Sequence, residues 1–105
     1  MKYEKIYAID TNIILDDARN FINLSDGGKN LIILPETVLD EVDIKKSGFD
    51  EINWQAREYT RISADEEMKD IRSFNQVKIV ETHLLGVDIL TISKDEYKAD
   101  KVNTS

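Results

Sequence analysis

Two short runs of consecutive apolar residues, each stopping at a helix-starting signal, constrain this chain more than any other feature. Ile6-Tyr7-Ala8-Ile9 stops at Asp10-Thr11-Asn12, and Leu31-Ile32-Ile33-Leu34 stops at Pro35. A run without polar alternation is buried on both faces, as strands of a parallel sheet are. Pro35 starts a helix at the position where its missing N–H costs nothing. Val38, Leu39 and Val42 give that helix an apolar face, and it runs out before Ser47-Gly48. Between the two strands, Phe21, Ile22 and Leu24 suggest a short helix closed by Ser25-Asp26-Gly27-Gly28.

Further along, Ile52, Ala56, Tyr59 and Ile62 fall at helical spacing within a long helical pattern over 50–72, which the segment Ser63 to Glu67 can divide. Val77 to Val80 reads as a third strand. Gly86 precedes Val87-Asp88-Ile89-Leu90, read as the opening of a helix through about Ala99, and Lys101 to Ser105 as the start of a fourth strand. The predicted order is β-α-β-α-α-β-α-β. That order implies an α/β fold, a three-layer α/β/α sandwich with a mainly parallel central sheet. A length of 105 residues allows one domain, 1–105. No apolar run is long enough for a membrane span and the N-terminus lacks a signal-peptide pattern, so a cytoplasmic protein is expected. The chain has no cysteine, which excludes disulfides, thiolate catalysis and Cys-type zinc sites. A lone histidine, His83, excludes a His-rich metal site.

Lys and Arg number 14 against 21 Asp and Glu, a net charge of −7. A broad basic face for nucleic acid would have the opposite sign. Either the partner is not a polyanion, or some of the acids are held together to bind divalent cations. Ligands bind open parallel sheets at the carboxyl ends of the strands. Asp10 follows the first strand, Glu41 lies beside the apolar stripe of the helix after the second, and Asp88 opens the helix expected after the third. Each also has a bland reading, as a turn former, a helix-edge charge or an N-cap. Converged carboxylates repel one another unless a cation neutralises them, and hard oxygen ligands without His or Cys suit Mg²⁺ or Mn²⁺. Such an ion activates water and offsets charge on a phosphodiester.

Asp10-Thr11-Asn12-Ile13-Ile14-Leu15 resembles the opening motif of the PIN-domain nucleases. Leu31 to Asp43, with its apolar strand, proline and Asp40-Glu41-Val42-Asp43 ending, resembles the family's second block. The acidic Asp16-Asp17, the basic Lys45-Lys46 and the helix Asn53-Trp54-Gln55-Ala56-Arg57 are most similar to the PIN domain of PhoH-like proteins. Two matches are open for the later acid. One takes Asp88, with Tyr97 to Val102 leading to a last motif begun by Thr104-Ser105, so that the domain stops before its last strand and fourth acid. It is preferred because it places an apolar-rich helix before a strand. The other reads Ser93-Lys94-Asp95 as the last motif, with Asp95 the acid. The resemblance implies that Asp10, Glu41 and Asp88 bind Mg²⁺ or Mn²⁺ and that Asn12 holds the Asp10 carboxylate by hydrogen bonding. Thr104 or Ser105 would help orient metal or phosphate. It implies endonucleolytic cleavage of RNA, most readily single-stranded, or else a catalytically incomplete module that binds RNA or protein. It also implies an ATPase domain in a longer natural chain; an exposed sheet edge at the missing strand would favour homo-oligomers.

Arg57, Lys45 and Lys46 are candidates for holding the nucleic-acid backbone, against readings as a surface ion pair and a solvated helix end. Asn53 reads as the partner of its own helix start, Trp54 as packing rather than base stacking, and His83 as a loop residue. Asp16 and Asp17 read as starting the first helix, and Asp43 as a supporting residue.

Overall fold

The computed structural model describes residues 2–94. β1 (Ile6–Ala8) leads through two short helices, α1 (Thr11–Asp16) and α2 (Asn20–Ser25), to β2 (Leu31–Pro35). α3 (Glu36–Ile44) and α4 (Glu51–Ser63) follow, then three consecutive strands, β3 (Glu67–Phe74), β4 (Val77–Leu84) and β5 (Val87–Lys94). The sheet order is β1-β2-β5-β4-β3.

The α/β class holds, and the elements of the first half fall where their pattern predicts, although β1, at the sheet edge, is exposed rather than buried. In the second half only the strand expected from Val77 does so. Residues 67–74 are strand rather than the end of a long helix, and residues 87–94 are strand rather than helix. The sheet is consequently mixed. β1-β2 and β2-β5 pair parallel, whereas β5-β4 and β4-β3 pair antiparallel. The two hairpins turn on Asn75-Gln76 and Leu85-Gly86, all four with positive φ. Two-residue turns of that hand match the twist of the strands they join. The expected strand at 101–105 lies outside the described residues.

Ile32, Leu34 and Ile89 from β2 and β5 share one core with Phe21, Val38, Ala56 and Tyr59 from the helices. Phe21 and Tyr59 meet edge to face, with centroids 5.7 Å apart. The residue before Pro35 stays extended, and α3 begins directly after it, so β2 delivers α3 straight off its carboxyl end. Among the described residues no helix is long and apolar enough to cross a membrane.

Candidate functional site

The strand ends position the acids. β1 pairs with β2 through Ile6↔Leu31 to Ala8↔Ile33, so Asp10 lies just past the carboxyl end of the parallel sheet. Asp10 is the N-cap of α1, and its Oδ1 accepts a 2.7 Å hydrogen bond from the Thr11 backbone N–H. Glu41 stands on α3, and its Oε2 accepts a 2.9 Å bond from the Thr11 hydroxyl. Thr11 is buried at 4% exposure, while Asp10 and Glu41 remain exposed. A single buried residue thus ties two solvent-facing carboxylates from two crossovers into one constellation. A cavity of about 440 Å³ opens at the same rim, between Glu36, Thr37 and Asp40 on one side and Ser93 and Lys94 on the other.

A model of the PIN domain family matches residues 7–102. The chain belongs to the PIN domain family. PIN domains are generally metal-dependent nucleases. The chain is also 36% identical over 58 residues to Protein PhoH2 of Bacillus subtilis (strain 168), a match covering 55% of this chain and 12% of that protein. No solved structure matches.

The third acid of the Asp10, Glu41, Asp88 set is not at this rim of the PIN domain. Asp88 lies near the start of β5, one residue before Ile89, which pairs with Ile32 of β2. It is level with the amino end of β2, about 13 Å down the strands from Pro35 at ~3.3 Å per residue. Its expected role as the first residue of a helix fails because Val87 to Lys94 is a strand that pairs along its length with β4, and with β2 over Ile89 to Ile92. Tyr3 donates its hydroxyl to Asp88 Oδ2 at 2.8 Å, and His83 Nδ1 lies 2.8 Å from Asp88 Oδ1. The His83 hydrogen bond, assisted by Tyr3, holds the Asp88 carboxyl below its ordinary range. Partial burial, then the Asp88 hydrogen bond and charge, push the Tyr3 phenol up to about 12. His83 is accordingly a strand residue in a polar network, not a loop residue.

Among the described residues no three acidic or histidine side chains converge as metal ligands. Asp95, Thr104 and Ser105 lie outside them. Asn12 is exposed on α1, and the hydrogen bond that Asp10 accepts comes from Thr11 rather than from Asn12. Thr11 is the residue the motif reading missed. Its signal was its place between Asp10 and Asn12, at the first position of the helix, where a buried hydroxyl must find an acceptor.

The basic candidates divide. Arg57 Nη1 donates to the carbonyls of Lys46 and Gly48, both at 2.8 Å, so the guanidinium braces the α3–α4 loop. Lys46 is paired with Asp43 across one turn of α3. Lys45 makes no salt bridge to a described residue. Asn53 closes a capping box with Asp50 and donates to the Lys45 carbonyl at 2.7 Å. Gln55 accepts from the Ala18 backbone N–H at 2.8 Å, which fastens α4 to the α1–α2 loop. The Asn-x-x-Ala-Arg helix is therefore the brace of the fold behind Thr11, and Asp16 and Asp17 end α1 rather than start it.

Proposed function

We propose that this PIN domain is a metal-dependent endoribonuclease that hydrolyses phosphodiester bonds of single-stranded RNA, with Asp10 and Glu41 holding Mg²⁺ or Mn²⁺. The observation that carries this reading is the Thr11 bridge, 2.7 Å to Asp10 and 2.9 Å to Glu41. The donor set fits the ion, because carboxylate oxygens without His or Cys favour a hard divalent cation. Asp95, which lies outside the described residues, is the candidate for the next carboxylate by the Ser93-Lys94-Asp95 match alone. This choice takes the Ser93-Lys94-Asp95 match and sets Asp88 aside. A bound ion supplies charge neutralisation and an acidified water. Thr11 keeps Glu41 aimed, and Asp10 stays fixed by its own helix start.

The test is incubation of single-stranded RNA with the protein in Mg²⁺ or Mn²⁺. Cleavage is expected, abolished by chelation. Asp10→Asn is expected to lower it by more than about 100-fold, beyond the 10–100-fold typical of losing a group that only supports a ligand. Asparagine caps helices as well as aspartate, so thermal stability should hold. RNA bound without metal-dependent cleavage would instead support a binding module, the reading that the two-acid set among the described residues favours.

A further inference from the structure

The loop between α3 and α4 holds a phenylalanine fully in water. Phe49 is 103% exposed, yet the backbone around it is heavily braced. Arg57 bonds the carbonyls of Lys46 and Gly48, Asn53 bonds the carbonyl of Lys45, and the Asp50 N–H donates to Asn53 Oδ1 at 3.0 Å. Gly48 has φ +121°, and the Asn53 carboxamide fills the space a Cβ would need, with Oδ1 at 2.5 Å. A floppy loop exposes a phenylalanine by chance; a pinned loop exposes it by construction.

Phe49 is the residue before the N-cap of α4, and Trp54 is the fourth residue of that helix. Apolar residues at these two positions ordinarily pack on each other as a hydrophobic staple, beside the capping box. Here the capping box is closed and the staple is open. Phe49 touches nothing, and Trp54 is 49% exposed. Lys45, one helical turn beyond Glu41, is exposed, and its carbonyl is tied to Asn53, the residue before Trp54.

We propose that Phe49 and Trp54 form a stacking slot for an unpaired nucleobase of the single strand, with Lys45 on the adjoining phosphate. This rests on the nuclease reading for its ligand class. The chemistry is that of single-strand binding sites, where aromatic faces take bases without regard to sequence and a lysine tracks the backbone. The slot explains why Trp54 is left half exposed and why so many bonds hold a loop that presents one ring.

Trp54 is the only tryptophan, so its fluorescence reports on the slot directly. The experiment titrates the full chain with a short oligouridylate in EDTA, where cleavage cannot occur, and follows binding by anisotropy in parallel. Quenching of Trp54 is expected. Phe49→Ala and Phe49→Leu should each weaken binding about tenfold or more, the scale of one lost stacked base. Phe49→Tyr should bind like the parent. Asp10→Asn should quench normally. Leucine matching phenylalanine would overturn the slot, since apolar area rather than stacking would then suffice and the face would suit a protein. So would RNA binding without quenching, or Phe49→Ala altering Trp54 emission in the free protein, which would mean the staple is closed. Normal quenching by a protein that never cleaves RNA would sink the nuclease reading and leave the slot standing. Normal cleavage with an indifferent Phe49 would do the reverse.

Discussion

The two rims of the parallel sheet each hold a hydrogen-bonded carboxylate, and the two arrangements differ in what they leave free. At the amino rim, both oxygens of Asp88 are engaged within the protein, one by Tyr3 and one by His83. That network joins the N-terminal segment to the β4–β5 hairpin and leaves little of the carboxylate for a ligand. At the carboxyl rim, the described residues engage one oxygen each of Asp10 and Glu41, both through Thr11. The first pattern is a structural clasp. The second is a pair of exposed acids tied to one threonine, each with an oxygen that no described residue engages.

Replacing the bridge is the sharpest way to break this contrast. Thr11→Val keeps the shape of the buried side chain and removes the donor to Glu41. Cleavage should fall about 10–100-fold, the usual consequence of freeing a ligand from its supporting hydrogen bond. Stability should fall by about 1 kcal/mol, the net worth of one hydrogen bond. The comparison is between RNA cleavage rates and denaturant midpoints of the same preparations. A variant with full activity would show that Thr11 has no part in the site.

The converse substitution belongs at the other rim. Asp88→Asn should leave cleavage unchanged and reduce stability by about 1 kcal/mol, because the network is half-exposed and solvent screens it. Asp88 has a depressed carboxyl in the folded state. Its contribution is therefore present above the unfolded value near 3.8 and is lost as pH falls through the lower folded value. Acid unfolding curves of Asp88→Asn and the parent should converge below that point and separate above it. Loss of metal-dependent cleavage in Asp88→Asn with stability intact would restore it to the catalytic set.

That Asp88 was expected at a crossover and stands instead near the start of β5 shows where the sequence was legible and where it was not. The apolar run at Leu31, the Pro35 helix start and the Ile52-Ala56-Tyr59-Ile62 stripe each carry a local signal that agrees with the fold, and the run at Ile6 marks a strand that is exposed rather than buried; together they put Asp10 and Glu41 at the carboxyl rim, where the structure has them. The second half depends on long-range pairing. β3 reads Glu-Met-Lys-Asp-Ile-Arg-Ser-Phe, is exposed throughout, and owes its form to β4 rather than to its own pattern. The hairpin turns hide as well. Asn75-Gln76 has no glycine and Leu85-Gly86 begins with a leucine, although both need positive φ at each position. Gly86 was legible, but as a helix boundary. With β5 taken for a helix, Asp88 moved from the bottom of a strand to the top of a crossover.

The smallest expected effect is at Tyr3, and it tests whether the clasp is as closed as its distances imply. The Tyr3 phenol is raised to about 12, first by partial burial and then by the Asp88 carboxylate beside it. A group whose folded value lies above its unfolded value near 10 stabilises the fold fully below that unfolded value. Its contribution then declines as pH rises from 10 towards 12. Tyr3→Phe should accordingly cost less than about 1 kcal/mol at neutral pH, the modest net value of a single half-exposed hydrogen bond. The deficit relative to the parent should vanish as the alkaline limit is approached. Absorbance titration should show one tyrosine of the parent ionising late and missing from the Tyr3→Phe variant, with Tyr59, also raised by burial, still later. Cleavage should not change, since Tyr3 stands at the rim away from Asp10 and Glu41. If Tyr3 instead ionised near 10, the phenol would not be held against Asp88. The carboxylate at the amino rim would then be as available as those at the carboxyl rim, and the distinction between clasp and site would fail.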